Sequence, residues 1–324
     1  MAERSVAVTA IIETTGLRKS FGNGQKAVDA VRGVDLRVES GEIFGFLGPN
    51  GAGKTTTLRM LVTLLVPSAG EARVAGLDLR TQAAEVRRRI GYVAQGSSSA
   101  RGMTGRGELV MQGRMYGMNA RDAKTRATEV LEHLDLTEAA DRITGTYSGG
   151  MRRRLDVGLG IAHRPALLFL DEPTTGLDPQ ARAGMWQEIV ALRESGTSVF
   201  LTTHYLDEAD ALCDRLAIID HGRVVVTGTP DELKRQIAGD VVTIGVDGRG
   251  DDVLQLAEAQ PFVREASLSD GMVRAYVDRG ETALPSLLRL LDAQGLAPQT
   301  LSLHRPSLDD VFLRQTGRSL RDAA

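Results

Sequence analysis

The sequence lacks the features of membrane-spanning, disulfide-bonded and nucleic-acid-binding proteins. Its one cysteine, Cys213, excludes an internal disulfide and fits a reducing compartment. No apolar run approaches the roughly 18–20 residues that a membrane-spanning helix needs, and the N-terminus shows no secretion signal. The formal net charge is -3, so there is no excess of basic residues for a nucleic-acid surface. These absences predict a cytosolic protein with no nucleic-acid partner.

The sequence does contain an alternation of short apolar strands with helices. Its 324 residues suggest two domains, at roughly 150 residues for each domain. The predicted elements are a helix at Thr56–Leu65 and strands at Glu42–Leu47, Leu167–Leu170, Val199–Thr203 and Leu216–Asp220. Such alternation predicts an α/β core with a parallel sheet. Because Gly107–Arg164 has helical character, we expect an α-helical subdomain within this core, at residues 96–164.

The pattern changes after Gly239, which places a domain boundary near residue 238. A strand at Val241–Val246 is followed by a helix, a two-stranded hairpin, a second helix and a last strand. The order βαββαβ is the ferredoxin-like arrangement of a small α+β domain. We therefore expect one domain at residues 1–238 and a C-terminal domain at residues 239–324 that has no catalytic pattern.

A glycine-rich loop between the first predicted strand and its helix matches the phosphate-loop pattern. Its residues are Gly48, Pro49, Asn50, Gly51, Ala52, Gly53, Lys54 and Thr55, followed by Thr56. Glycines let backbone N–H groups turn toward phosphate oxygens, and the helix N-terminus adds a favourable dipole. Lys54 is expected to contact the β- and γ-phosphates, and Thr55 to bind Mg²⁺. The loop therefore predicts a P-loop NTPase core.

Two carboxylates follow the apolar strand at Leu167–Leu170. Asp171 and Glu172 would lie at the edge of a parallel sheet where ligands of such folds bind. Asp171 can hold Mg²⁺, and Glu172 can orient an attacking water and accept its proton. Paired acids also cap helices, but Pro173 follows at once and the strand is fully apolar. With the phosphate loop upstream, Glu172 is interpreted as the catalytic base.

A Ser-Gly-Gly sequence at Ser148–Gly150 precedes a helical pattern upstream of that strand. Such a helix start usually serves as an N-cap, and it can also bind an anion. On these motifs the chain resembles the nucleotide-binding subunits of ABC transporters, whose signature loop reads Leu-Ser-Gly-Gly-Gln. The match lies at Ser148, Gly149 and Gly150. Met151 replaces the glutamine that makes the last phosphate contact in that family.

The resemblance continues in order along the chain and implies roles for single residues. Gln95 matches the glutamine loop that approaches Mg²⁺, and Asp178 matches the acid of a segment that crosses the dimer interface. His204 matches the switch histidine that contacts the γ-phosphate. Phe21 matches an aromatic residue that stacks on adenine, although an isolated phenylalanine is more often a core residue.

In this family two subunits enclose two ATP molecules. Each nucleotide contacts Lys54 and Glu172 of one subunit and Ser148–Gly150 of the other. The resemblance therefore implies a homodimer with ATP and Mg²⁺ as cofactors. The implied catalytic residues are Lys54, Gln95, Glu172 and His204, and the implied metal ligands are Thr55, Gln95 and Asp171.

Longer segments narrow the resemblance to one type of transporter. The runs Tyr147–Arg154, Thr202–Asp210 and Arg305–Leu313 look like those of the daunorubicin-resistance type of drug exporter. Relatives with nearly the same motifs export polysaccharides, lipids or sodium. The resemblance implies a peripheral ATPase at the cytoplasmic face of the membrane that drives a separate ABC-2-type permease. It also implies a regulatory or dimerisation role for the C-terminal domain.

Two other interpretations are open. One is a soluble ABC ATPase that acts on ribosomes or nucleic acid. Ribosome-acting relatives carry every motif twice and DNA-repair relatives insert a long coiled coil, and this sequence does neither. The other is a degenerate regulatory ATPase, which the intact Lys54, Asp171, Glu172 and His204 disfavour.

Overall fold

The computed structural model describes residues 9–22, 27–96, 98–237, 239–245 and 248–317. The chain divides into two units, Met1–Val226 and Thr227–Ala324. Within the described ranges, no helix combines the length and the apolar character needed to cross a lipid bilayer.

The first unit is built on a six-stranded sheet. Its strands are β3 (Ile43–Leu47), β6 (Ile90–Val93), β7 (Leu167–Asp171), β8 (Ser198–Thr203), β9 (Arg215–Asp220) and β10 (Arg223–Gly228). The order across the sheet is β10-β9-β3-β8-β7-β6, and the pairs from β9 to β6 are parallel. Every residue of β3, β7 and β8 is buried. The expected parallel α/β core is confirmed, with apolar strands buried as parallel sheets require.

A second sheet in this unit is antiparallel, and the sequence patterns do not predict it. Its strands are β1 (Ala10–Phe21), β2 (Val28–Glu39), β4 (Ala69–Val74) and β5 (Leu77–Asp78), in the order β2-β1-β4-β5. The register of β1 against β2 shifts between Thr14 and Leu17 and again between Lys19 and Ser20. Such bulges interrupt the alternation of buried and exposed residues, so the period-two pattern is lost.

Both sheets share one hydrophobic core. Ile12 of β1 and Val74 of β4 are buried in the same cluster as Phe44, Phe46 and Phe200 of the central sheet. The Phe200 ring centroid lies 5.8 Å from that of Phe44 and 5.7 Å from that of Phe46. Aromatic pairs at such separations add stability beyond the area they bury. The core therefore fixes β1 relative to β3, the strand that leads into the glycine loop.

The helices of the first unit surround the central sheet. They are α1 (Lys54–Leu61), α2 (Ala83–Arg89), α3 (Gly105–Met115), α4 (Ala120–His133), α5 (Gly149–Ile161), α6 (Pro179–Glu194) and α7 (Leu206–Leu212). The stretch expected to be helical contains α3, α4 and α5. By contrast, α1 begins before the expected Thr56 and ends before the expected Leu65. Thr63 has a φ of 65°, a left-handed conformation that an α-helix does not continue through.

The second unit contains a four-stranded antiparallel sheet. Its elements are α8 (Pro230–Arg235), β11 (Asp240–Gly245), α9 (Gly250–Glu258), β12 (Val263–Ser269), β13 (Met272–Val277), α10 (Gly280–Ala293), β14 (Thr300–His304) and α11 (Leu308–Thr316). The sheet order is β12-β13-β11-β14. Val246, the last residue of the expected strand, lies outside the described residues. This order of elements and strands supports our proposal of a ferredoxin-like domain.

The second unit includes α8, which precedes the boundary expected near residue 238. α8 packs against α11, and Arg314 of α11 donates a hydrogen bond to the backbone oxygen of Gln236 at 2.7 Å. Leu233 of α8 is fully buried. Because these contacts join α8 to the last helix, we propose that the C-terminal domain begins at Thr227.

Gly91→Ala should destabilise the first unit. A Cβ at Gly91 would lie 2.2 Å from the backbone oxygen of Gly160, where β6 and α5 approach closely. Since Gly91 lies in a strand and Gly160 in a helix, neither backbone can move aside easily. The added methyl group should therefore lower the free energy of unfolding by about 1–3 kcal/mol. Thermal unfolding followed by circular dichroism measures this change.

Gly184→Ala is the matched control for that variant. A Cβ at Gly184 in α6 would meet no heavy atom of the described chain within 4 Å, outside its own helix. Alanine there should raise stability by about 0.5–1 kcal/mol. A melting temperature of Gly91→Ala equal to or above that of the wild type would contradict the close approach.

Candidate active site

The glycine loop joins β3 to α1, and two of its positions require glycine. A Cβ at Gly48 would lie 2.3 Å from the backbone oxygen of Ile219 in β9. Gly53 has a φ of 107°, and a Cβ there would lie 2.7 Å from the backbone oxygen of Ala30 in β2. Residues other than glycine rarely adopt this positive φ. The loop is thus held tightly between the two sheets and places the start of α1 at the edge of the central sheet.

Lys54 is the first residue of α1, and only 4 % of its side chain is exposed. Its Nζ donates hydrogen bonds to the backbone oxygens of Gly48 at 2.7 Å and Pro49 at 3.1 Å. It also lies 3.5 Å from Glu172 Oε1. Burial lowers the pKa of Lys54, against the opposing effect of the Glu172 and Asp171 charges. The loop therefore holds a buried cation where it turns into the helix.

Asp171 ends β7 and faces hydroxyl groups from two other elements. Its Oδ1 accepts hydrogen bonds from Thr55 Oγ1 at 3.2 Å and from Thr202 Oγ1 at 2.7 Å. A carboxylate and a hydroxyl are oxygen ligands that Mg²⁺ takes together with water and substrate phosphates. The described residues contain no group of three or more His, Cys, Asp and Glu side chains suited to a metal ion. The arrangement at Asp171 therefore fits Mg²⁺ that arrives with phosphate groups.

Glu172 has a φ of 47°, which is rare for a residue with a side chain. Its backbone N–H donates to the backbone oxygen and to the side-chain oxygen of Thr202, both at 3.1 Å. Such strained conformations persist where the surroundings impose them, and they cluster at functional sites. These bonds to Thr202 of β8 thus fix the backbone of Glu172 and with it the direction of its side chain.

The Glu172 carboxylate is the meeting point of the residues predicted to be catalytic. Its Oε2 accepts hydrogen bonds from Gln95 Nε2 at 2.9 Å and Thr175 Oγ1 at 3.2 Å. Its Oε1 lies 3.5 Å from Lys54 Nζ and 3.3 Å from His204 Nδ1. Burial alone would raise the pKa of Glu172, but the neighbouring His204 and Lys54 lower it overall. These neighbours therefore favour the charged form of the carboxylate.

His204 follows β8, and its ring faces this carboxylate. Nδ1 is enclosed near Glu172 without the geometry of a hydrogen bond. The ring of Tyr205 packs beside it, with centroids 4.1 Å apart. The switch role of His204 stays a prediction, and its place beside Glu172 supports that prediction.

The signature residues Ser148–Gly150 and the interface acid Asp178 do not join this cluster. The Ser148 side chain caps α5 by accepting a hydrogen bond from the Met151 N–H at 3.2 Å. Asp178 caps α6 by accepting one from the Ala181 N–H at 2.8 Å. In the part of the chain that the structure describes, no hydrogen bond or ion pair links them to Glu172. Within the described residues, a single chain therefore does not bring these predicted site residues into contact with Glu172.

Phe21 lies at the end of β1 with 42 % of its surface exposed. Lys19 Nζ lies over the ring, 5.3 Å from its centroid. The side chain is therefore not a core residue, and its exposed ring can stack on a base as the resemblance implies.

Two residues at the site escape the sequence patterns. Thr202 of β8 bonds both to the Asp171 carboxylate and to the backbone of Glu172. Arg153 of α5 donates to the backbone oxygens of both acids and of Pro173, which follows them. The run Arg152–Arg154 alone does not show which arginine is buried. Arg153 lies four and eight residues before the apolar Val157 and Ile161, on the same face of α5, and this helical spacing is the signal that could have identified it.

Comparison with known proteins assigns the chain to a family. Residues 31–175 match the family described as ABC transporter, and residues 228–316 match the C-terminal domain described as ATP-binding protein DrrA1-3-like. The daunorubicin resistance ATP-binding protein DrrA2 of Streptomyces coeruleorubidus is 46 % identical over 94 % of this chain and 95 % of its own length. The chain belongs to the ABC transporter ATP-binding proteins. Its expected ATPase class and daunorubicin-resistance type are thereby confirmed.

Two further comparisons agree with the ABC ATPase assignment. The daunorubicin/doxorubicin resistance ATP-binding protein DrrA of Streptomyces peucetius is 46 % identical over 97 % of this chain and 94 % of its own length. A dimeric ATP-binding cassette solved in a post-hydrolysis state with ADP and Pi matches with a TM-score of 0.62. It is 24 % identical and covers 67 % of this chain and 98 % of that chain. The likeness confirms the fold of the ABC ATPase unit.

Lys54→Ala in this ABC ATPase should weaken ATP binding. Hydrogen bonds to charged groups contribute about 1.5–3 kcal/mol, so the dissociation constant should rise about 10- to 100-fold. Equilibrium binding of a fluorescent ATP analogue in the presence of Mg²⁺ measures the change. Lys124→Ala removes an exposed lysine of α4 and is the matched control. Equal affinity for the two variants would contradict the role of Lys54.

Proposed function

We propose that this ABC ATPase is the motor of an exporter for drugs or other hydrophobic compounds. Two copies of the chain enclose two ATP molecules at the cytoplasmic face of the membrane and drive a separate ABC-2-type permease. One observation carries this proposal: Lys54 and Glu172 converge in one chain, whereas Ser148–Gly150 lie outside their cluster. The resistance function in the names of its relatives supports the class of cargo.

The N-terminus of α5 is suited to complete the site of a second copy. A helix start presents unpaired backbone N–H groups and a positive dipole end to an anion. The first turn of α5 contains no acidic residue that would repel a phosphate. Ser148 and Gly149 are exposed, so another subunit can reach them. Closure of the dimer thus adds charge stabilisation at the γ-phosphate that one chain does not provide.

Hydrolysis follows from the ionised carboxylate at Glu172. It accepts a proton from the attacking water, and the neighbouring His204 and Lys54 lower its pKa and so favour the charged form that a base requires. Lys54 exchanges its loop carbonyl partners for phosphate oxygens, which form stronger, charge-assisted hydrogen bonds. His204 lies on the other side of Glu172 Oε1, where it can orient the γ-phosphate. Loss of that phosphate then releases the two subunits.

Mg²⁺ is the second cofactor of the proposal. Thr55 and Asp171 would hold it, with Gln95 as a third ligand. When bound, the ion neutralises charge on the β- and γ-phosphates. Thr202 orients the Asp171 carboxylate toward Thr55, so these residues are arranged before the nucleotide arrives.

A transporter explains the chain better than an action on ribosomes or nucleic acid. A net charge of -3 does not provide the basic surface that phosphate backbones require. The relatives named above are resistance proteins and match 94 % and 97 % of the chain, and the C-terminal domain has its own family match. We propose a regulatory or dimerisation role for that domain, because it lies outside every nucleotide motif.

A groove in the ABC ATPase unit is the proposed docking site for a cytoplasmic helix of the permease. Its volume is about 790 Å³, and Arg87, Arg88, Met115 and Tyr116 border it. Met115 is 74 % exposed, and the Tyr116 ring stacks on His163 with centroids 3.7 Å apart. Exposed apolar side chains beside two cations fit a helix that presents apolar residues and a carboxylate. His163, which also borders the groove, hydrogen-bonds to the backbone oxygen of Ile90 in β6, the strand that leads to the glutamine loop, at 2.9 Å.

Glu172→Gln should bind ATP, stop hydrolysing and accumulate as a dimer. Glutamine keeps the shape of the side chain but cannot accept the proton. Size-exclusion chromatography with light scattering, with and without ATP and Mg²⁺, measures the shift from monomer to dimer. The double variant Lys54→Ala, Glu172→Gln is the control that should remain monomeric. A Glu172→Gln protein that binds ATP without dimerising would contradict the two-copy site.

Met115→Asp should reduce recovery of the permease with the full-length chain. The new carboxylate removes apolar contact area and repels the carboxylate expected on the docking helix. Affinity purification from detergent-solubilised native membranes measures the recovery. Leu288→Asp is the control, since Leu288 is an exposed apolar residue of α10 outside the groove. Equal recovery with both variants, at unchanged ATP affinity, would exclude this groove as the docking site.

A further inference from the structure

Arg153 is a buried arginine of α5 that donates hydrogen bonds to four backbone oxygens. Only 8 % of it is exposed. Its Nε donates to the oxygen of Pro173 at 2.8 Å, and its Nη1 donates to that of Ala94 at 2.6 Å. Its Nη2 donates to the oxygens of Asp171 at 3.1 Å and Glu172 at 3.3 Å.

These acceptors belong to two segments that each carry a predicted catalytic residue. Ala94 precedes Gln95, whose amide donates to the Glu172 carboxylate. The other three oxygens belong to Asp171–Pro173, the segment with Glu172 at its centre. A planar guanidinium presents five donors in a fixed fork and can reach all four oxygens of both segments, whereas an ammonium has only three donors on one atom.

Burial of this guanidinium has a cost that the hydrogen bonds must offset. Burial lowers the pKa of Arg153, against the attraction of nearby acids. A buried charge is retained where its donors are satisfied. The neighbouring arginine differs, because Arg154 is partly exposed and donates to the backbone oxygen of Leu134 at 3.3 Å. The run of arginines therefore contains one member directed at the active site.

α5 packs on β6 without space for an intervening side chain. A Cβ at Gly91 in β6 would lie 2.2 Å from the backbone oxygen of Gly160 in α5. A Cβ at Gly160 would lie 2.9 Å from the side chain of Val93. Because the helix is seated on the strand that leads to Gln95, Arg153 and its acceptors form one tightly packed group.

We propose that Arg153 is a positioning residue for ATP hydrolysis, which ties Glu172 and the loop of Gln95 to the helix that begins at Ser148. In this proposal Arg153 does not touch the nucleotide. It acts through Glu172, whose backbone oxygen it binds, and through Gln95, which follows the bound Ala94. The link to Ser148 rests on the proposed two-copy function. When Ser148 engages the nucleotide of the other subunit, the same helix holds Glu172 of its own subunit in place for attack.

Arg153→Met tests this with a side chain that has similar length and no donors. Because a displacement of about 1 Å can cost about 100-fold in rate, kcat should fall about 10- to 100-fold, with ATP affinity changed by less than about twofold. Arg153→Lys should show the same loss, since it keeps the charge without the fork. Arg154→Met, in the next residue of the helix, should retain kcat.

Single-turnover hydrolysis and equilibrium ATP binding by the full-length chain provide these values, and circular dichroism checks folding. Combined with Glu172→Gln, Arg153→Met should still form the ATP-dependent dimer. The proposal is overturned if both Arg153 variants hydrolyse ATP like the wild type, if ATP affinity falls in parallel with kcat, or if the dimer is lost. Loss of secondary structure in both variants would also overturn it, because Arg153 would then be a folding residue.

The same measurements separate this inference from the proposed function. If Glu172→Gln alone forms no ATP-dependent dimer, the two-copy site fails. The kcat comparison between Arg153→Met and Arg154→Met then still decides whether Arg153 positions Glu172 and Gln95 within one chain.

Discussion

The ABC ATPase unit depends on the burial of one lysine beside one glutamate at the edge of a parallel sheet. Lys54 Nζ and Glu172 Oε1 are 3.5 Å apart, and both side chains are more than nine-tenths buried. Removing such charges from water costs several kcal/mol for each ion. Two loop oxygens compensate Lys54, and the Gln95 amide and the Thr175 hydroxyl compensate Glu172. The loop, the strand ends and the glutamine loop are therefore held in place by the same pair of charges.

This arrangement favours phosphate binding over stability. A buried ion pair contributes little net stability, and burial still lowers the pKa of Lys54 although Glu172 is adjacent. A bound phosphate group would add negative charge beside Lys54 and so stabilise its charged form further than Glu172 alone does. The strained φ of Glu172, which its hydrogen bond to Thr202 holds in place, likewise favours function over stability. The strain places the carboxylate among the other catalytic groups at a cost in backbone energy.

A sequence pattern predicts a site where one segment carries the whole signal. The phosphate loop and the acids after β7 could be predicted from spacing alone, whereas Gln95 and His204 required the family resemblance. Thr202 and Arg153 were missed because many of their partners are backbone groups, which leave no trace in residue type. The fold shows the same contrast. β11 pairs with β13 without a register shift and was predicted, whereas the bulged β1 was not.

In the proposed two-copy site, α5 connects the surface offered to the second copy with the segment that carries Glu172. Its first residues are exposed and present an anion site, while Arg153, slightly further along, is buried among the backbone oxygens around Glu172. An α-helix rises only 1.5 Å per residue and moves as a rigid rod, so the two ends of this short span cannot move independently. In the proposed dimer, a phosphate bound at the first residues of α5 therefore restrains the backbone of a carboxylate that acts on a different phosphate. The proposal thus links the two sites through one helix in each subunit.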